Sequence, residues 1–229
     1  MISTQKMMKV LLLAFLLSIP LTTIGQTETE VSLMDLMREI QQWNKRDNKM
    51  SMVWWIPTEY WRISLKDYGG ISQETIEQVE ILFEDYLVLW ACDLSVNPDG
   101  TMNFASEEEI GKSITVLVGD SLEYFPLADD QIDAEVLTVA ESMKPIFAQT
   151  LGQMGQGLHY YFFKVKDEDG KNLVQAKRKG EFKVSHSNAE FFWKLPLVTL
   201  MPPKFCPVDK EKMNGSWNYC PVHGKMLEN

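Results

Sequence analysis

The chain has 229 residues, 45% of them hydrophobic, and a formal net charge of −10. That hydrophobic share excludes an intrinsically disordered chain, and a surface this acidic repels phosphate backbones, so nucleic acid is not an expected partner. The length allows one sizeable domain with a small appendage.

The first twenty-five residues have the three-part grammar of a secretory signal peptide. Lys6 and Lys9 come first, then an apolar run over 10–19, then a polar, small-residue stretch ending Thr23-Ile24-Gly25. The run falls short of the roughly 20 apolar residues that cross a bilayer. Cleavage is therefore expected before Gln26, and loss of the two lysines takes the net charge from −10 to −12. No cysteine stands at the junction to carry a lipid, and no later segment reaches membrane-spanning length. The expected product is exported and soluble, periplasmic or extracellular, with no integral membrane segment.

Residues 26–203 read as one domain. Ser32 caps a helix, with Asp35 three residues on and Leu33, Leu36, Met37, Ile40 and Trp43 at helical spacing. The polar stretch 44–49 ends it. Residues 52–56 form an apolar strand stopped at Pro57, and 60–65 are expected to be extended. Ser72, with Glu74 and Glu77 in the first turns, starts a second helix that buries Ile76, Val79 and Phe83. Residues 86–96 are apolar nearly throughout and end at Asn97-Pro98-Asp99-Gly100, the pattern of a central strand and its turn. Ser106-Glu107-Glu108-Glu109 is a capping-box signature. Segments 114–118 and 122–125, parted by Gly119-Asp120-Ser121, predict a hairpin. The longest helical pattern runs through Ile132, Val136, Val139, Met143, Phe147, Leu151 and Met154, with Pro145 predicting a kink or break. Three strands follow, 158–165, 180–185 and 190–195, turned at Asp167-Glu168-Asp169-Gly170 and His186-Ser187-Asn188, and expected as an antiparallel meander. Pro196 and Pro202-Pro203 then make a stiff linker. Strands and helices without strict βαβ alternation predict an α+β class with a mainly antiparallel sheet.

Chemistry is sparse in this domain. Gly111-Lys112-Ser113 lacks the glycine that a phosphate-binding loop needs five residues earlier, where Ser106 stands. There is no Gly-x-Ser-x-Gly elbow, His-Glu-x-x-His helix or dinucleotide fingerprint. The acidic clusters Asp129-Asp130 with Asp133 and Glu135, and Asp167-Glu168-Asp169-Gly170, lack calcium-loop spacing and read as a helix start and a turn. His159 heads an apolar strand and His186 sits in a turn, positions that suit a structural or exposed histidine better than a ligand. Trp54, Trp55, Tyr60 and Trp61 read as core aromatics rather than a sugar-binding platform. Cys92 lies in an apolar run and reads as a small buried hydrophobe. Asn214-Gly215-Ser216 fits an N-glycosylation acceptor, but Asn-Gly serves a turn there.

The tail, 204–229, is different. Phe205-Cys206-Pro207-Val208-Asp209 and Tyr219-Cys220-Pro221-Val222-His223 align without gaps. Each has an aromatic residue before Cys-Pro-Val, a potential metal ligand three after the cysteine, and an apolar residue, Met213 or Leu227, seven after it. A turn at Asn214-Gly215 would bring the two face to face. The pair resembles a zinc ribbon, whose two Cys-Pro-x-Cys knuckles hold one tetrahedral metal. The resemblance covers about 205–227. It implies Cys206 and Cys220 as the first ligand of each knuckle, with Asp209 and His223 where the second cysteines would stand. Carboxylate oxygen binds zinc at about 2.0–2.2 Å, so the four are a competent set whose harder fourth donor weakens the site. The alternative is a Cys206–Cys220 disulfide, permitted by export, closing a loop of about 15 residues and worth on the order of 3 kcal/mol. Tyr219-Cys220-Pro221-Val222-His223 is also similar to the Tyr-x-Cys-Pro-x-His metal-binding segment of exported copper-efflux proteins.

The function expected is that of a non-enzymatic envelope or secreted protein. Its α+β domain would bind a protein partner, and its tail would be a structural zinc ribbon or a disulfide staple. The alternatives are a periplasmic zinc- or copper-handling protein and a hydrolase with an unrecognised acidic site.

Overall fold

A computed structural model describes residues 31–68, 70–119 and 122–229. The signal-peptide reading, and the Asp120-Ser121 part of the expected hairpin turn, lie outside these residues. The fold is α+β with antiparallel sheets.

Helix α1, Leu33–Ile40, starts as expected, with Ser32 Oγ accepting from Asp35 N–H. It does not reach Trp43. Strand β1, Gln41–Arg46, follows at once and pairs with β2, Lys49–Ile56, through a tight turn in which Asp47 has φ 52°. Pairing along β2 overrides the helical spacing of the sequence. The extended reading of 60–65 is also corrected: these residues lie in helix α2, Thr58–Tyr68. A run such as Tyr-Trp-Arg-Ile-Ser-Leu satisfies both periods, and packing decides between them. Tyr60, Trp61, Ser64 and Leu65 are buried together, and Trp61 stacks on Phe83 of α3, Gln73–Phe83, with ring centroids 4.7 Å apart.

Strand β3, Leu87–Val96, is the centre of a five-stranded sheet. One edge pairs with β2 from Val88 to Ser95. The other edge is divided. Its first half takes β7, His159–Phe163, and its last three residues take β4, Met102–Phe104. Helix α4, Glu107–Ser113, carries the capping box read from sequence, Ser106 and Glu109 each accepting the other's backbone N–H. A second, four-stranded sheet runs in the order β6 (Leu122–Tyr124), β5 (Thr115–Val118), β8 (Gly180–His186), β9 (Ala189–Leu195). The three late strands are therefore no single meander. β8 and β9 form a hairpin through Ser187 and Asn188, both at positive φ as a two-residue turn requires, whereas β7 belongs to the other sheet.

Helix α5, Ala134–Thr150, runs unbroken through Pro145, and Met154 falls in the 3₁₀ turn that follows. The near-continuous apolar run of β2 reflects burial on both faces. On one face Trp54 packs edge-on against Phe147 of α5 and Tyr60 of α2. On the other, Trp55 meets Phe182 of β8 and Trp193 of β9. The molecule is thus layered as helices, five-stranded sheet and four-stranded sheet. The side-chain amide of Gln42 in β1 joins the two sheets along one side, donating to Phe192 C=O and accepting from Phe192 N–H in β9.

The proline-rich segment after β9 is docked. Leu197 is buried in the main core, its N–H donates to Ala176 C=O, and the Glu39 carboxylate of α1 accepts from Val198 and Thr199 N–H. Beyond it, β10 (Lys204–Phe205) pairs with β11 (Lys212–Met213) and opens the tail. The tail has its own small cluster, Cys206, Met213, Cys220 and Leu227, separate from the main core. Gly215 seats it: a Cβ there would lie 2.1 Å from Pro202 O.

Candidate metal centre

The two Cys-Pro-Val segments fold into turns of the same design. In the first, Cys206 N–H donates to Glu211 C=O and Lys210 N–H returns to Cys206 C=O. In the second, Cys220 N–H donates to Lys225 C=O and Gly224 N–H to Cys220 C=O. Each turn needs a left-handed residue four after the cysteine. Gly224 (φ 60°) takes that conformation freely, while Lys210 (φ 61°) accepts a penalty of roughly 1–2 kcal/mol. Phe205 and Glu228 exchange a pair of backbone hydrogen bonds, and Leu227 N–H donates to Asn218 C=O. These bonds tie the second knuckle to the first strand and bring the two cysteines together.

The result is a convergent donor set. His223 Nδ1 lies 3.3 Å from Cys206 Sγ, 3.6 Å from Cys220 Sγ and 3.6 Å from Asp209 Oδ2. A zinc ion with Zn–S about 2.3 Å and Zn–N about 2.0–2.1 Å at the tetrahedral angle separates sulfur from nitrogen by about 3.6 Å. The donor spacing fits such an ion. Cys206, Cys220 and His223 have ligand atoms all within 4.8 Å of one another, so these three can bind a metal, and the two sulfurs are close to disulfide distance. Asp209 stands outside that mutually close set, beside His223.

The local electrostatics follow from the knuckles. Burial pushes the Cys206 thiol up, against the N–H groups of Asp209 and Val208 that donate to it. Burial also opposes ionisation of Cys220, but the N–H groups of His223 and Val222, with the His223 side chain and Cys206, outweigh it and hold that thiol below its ordinary value. Asp209 is held low, first by Glu211 N–H and then by the Cys206 thiol. No disulfide joins the three cysteines in the structure. Cys92 is unlike the other two: burial, with Asp93 beside it, pushes it up to about 12, and it contacts only Met154 C=O among hydrogen-bonding groups described. It is an inert core residue.

Trp54, Trp55, Tyr60 and Trp61 are buried and form no exposed platform. Asp167 Oδ1 accepts from Asp169 and Lys171 N–H, and Asn214 Oδ1 from Ser216 N–H and Oγ, so both motifs are turns. One polar group escaped sequence reasoning. His186 ends β8 at 1% exposure, with Nδ1 2.9 Å from Ser113 Oγ, while the hydroxyls of Ser51 and Ser187 donate to the two oxygens of Asp93. Burial holds His186 below its ordinary pKa, with Asp93 opposing. No spacing in the sequence marks this group, because its members come from four separate segments. Ser113 stands at the C-terminal end of α4, where the helix dipole disfavours a developing oxyanion, and its hydroxyl donates to Ile110 C=O. The group is a structural bridge between the sheets. A cleft of about 260 Å³ lies at the start of α2, lined by Trp55, Thr58, Glu59, Glu84, Gln175 and Lys177 among others, and Glu59 there is 3.8 Å from Lys177.

Comparison with family models, with curated proteins and with solved structures gives no match. Among the described residues, no helix is long and apolar enough to cross a membrane.

Proposed function

We propose that the tail is a zinc-binding ribbon-like unit, with Cys206, Cys220 and His223 as ligands and Asp209 at the fourth position, carried by an exported, non-enzymatic binding protein. The observation that supports this is the placement of His223 Nδ1 between both sulfurs and the Asp209 carboxylate. Two buried thiols and an imidazole are the donor types zinc prefers. The metal's role in this reading is structural: it joins two knuckles that share only a four-residue core. The α+β domain then serves as the surface that meets an envelope or secreted partner.

Proximity of the two sulfurs favours one competing reading, a Cys206–Cys220 disulfide. Metal analysis on freshly purified protein, with thiol labelling under denaturation on the same sample, separates the two. The zinc reading expects about one zinc per chain and three labelled thiols. The disulfide reading expects no zinc and Cys92 labelled alone. Three labelled thiols without metal would overturn both.

A further inference from the structure

We infer that the fourth vertex of the metal site is open to a donor from outside the chain and takes a thiolate, with Asp209 as a displaceable occupant. The inference rests on the metal reading above. Three protein donors form the mutually close set and Asp209 falls outside it, which is the three-plus-one arrangement that leaves a coordination position exchangeable. The Asp209 carboxylate has other anchors: Oδ1 accepts from Glu211 N–H at 3.0 Å, so the side chain keeps its place in the knuckle when Oδ2 leaves the metal. The open side faces outward. Both sulfurs are buried, while the His223 and Asp209 side chains are 32% and 38% exposed. Two thiolates and an imidazole make a soft set in which an incoming sulfur is a better match than a carboxylate oxygen.

The exchange is simple in its balance. A thiol binds as the thiolate, forming a metal–sulfur bond, and its proton passes to the buffer. The bond from the metal to Asp209 Oδ2 breaks, the carboxylate stays with Glu211 N–H, and nothing is oxidised or reduced. The source of the thiolate is either a low-mass thiol or a cysteine of another protein chain, and Val208 and Val222, exposed on the two knuckles, would give the second an apolar footing.

The test uses the full chain loaded with one Co²⁺, whose thiolate-to-metal absorbance counts bound sulfurs. It is titrated with 2-mercaptoethanol in one arm and, in the other, with an end-blocked tripeptide carrying a central cysteine between two leucines. The expected result is a saturable rise of about half in absorbance per cobalt, as two thiolates become three, with cobalt retained through desalting. Asp209→Ala should saturate at a lower thiol concentration. Asp209→Cys should show the three-thiolate spectrum with no thiol added, and no response to either probe. Tighter binding of the tripeptide assigns the source to a protein cysteine, and equal binding assigns it to a small thiol. Cobalt bound with a spectrum that neither thiol changes, or cobalt stripped with no intermediate rise, overturns the open vertex. Failure of the chain to take up cobalt at all overturns the metal reading itself.

Discussion

If the tail holds zinc as proposed, removing the metal should unfold the tail and leave the rest of the protein intact. Fixing the backbone of the two dozen residues from Phe205 to Glu228 costs at least about 1 kcal/mol each, roughly 24 kcal/mol in all. Burial of Met213 and Leu227 contributes about 3–6 kcal/mol. The eight turn and bridge hydrogen bonds within the tail contribute about 1 kcal/mol each. Roughly 10–13 kcal/mol stays unmet, within the range of about 10–16 kcal/mol that a structural zinc supplies at neutral pH. The assay is amide hydrogen exchange on the full chain, metal-loaded and after chelation with a phosphine reductant present to keep the thiols free. Protection at Cys206, Cys220, Gly224 and Leu227 should fall by about three orders of magnitude or more, since a loss of 1.4 kcal/mol is already tenfold. Strands β2 and β3 should keep theirs. Tail protection that survives complete loss of zinc would refute the reasoning, because the four-residue core would then suffice alone.

Asp209→Cys should slow zinc transfer to a competing chromophoric chelator, because it completes a softer donor set; equal or faster transfer would count against the four-ligand arrangement. His186 is held below the ordinary histidine value of about 6.5, so its neutral form is the native one. The stability it contributes is present above about pH 6.5 and is lost as pH falls through its folded value. His186→Gln should flatten the urea midpoint between pH 7 and pH 5, and an unchanged slope there would rule out this residue as the cause. Phe147 touches the rings of Trp54, Tyr60, Trp61 and Trp90, so Phe147→Ala should lose about 3–5 kcal/mol by equilibrium denaturation. A loss under 1 kcal/mol would mean that the aromatic layer closes over the cavity. Gly215→Ala places a methyl against Pro202 O and should cost about 1–3 kcal/mol, read as a lower melting temperature with zinc content unchanged.

Local chemistry was legible wherever a side chain answers to its own neighbours. Ser32, Ser72 and Ser106 cap the helices that their spacing announces, and the two knuckles repeat in structure what they repeat in sequence. Cys206, Cys220 and His223 converge because hydrogen bonds between neighbouring turns, rather than distant packing, place them. What depended on remote partners was not legible. Trp43 fits a helix until β2 draws it into a strand, and β7 pairs with β3 across more than sixty residues of intervening chain. His186 looked like a turn residue because nothing beside it shows that Ser113, far back in the chain, covers it. Asp209 occupies its expected knuckle position, yet the left-handed turn at Lys210 that follows it, and its place outside the close set of Cys206, Cys220 and His223, were not revealed by its spacing.

The contact of Gln42 with Phe192 bears on how the protein behaves in a crowded solution. An outer strand offers alternating donors and acceptors to any extended chain that drifts alongside, which is how sheets recruit one another into aggregates. At Phe192 both groups are already engaged by one side-chain amide, which imitates the peptide unit of a neighbouring strand. Trp43 and Phe192 are both partly exposed beside this contact, so an apolar spot on this edge is also one whose backbone groups are engaged. Loss of the Gln42 amide would leave the Phe192 N–H and C=O without this partner and return that point of the edge to the state in which outer strands pair with other chains.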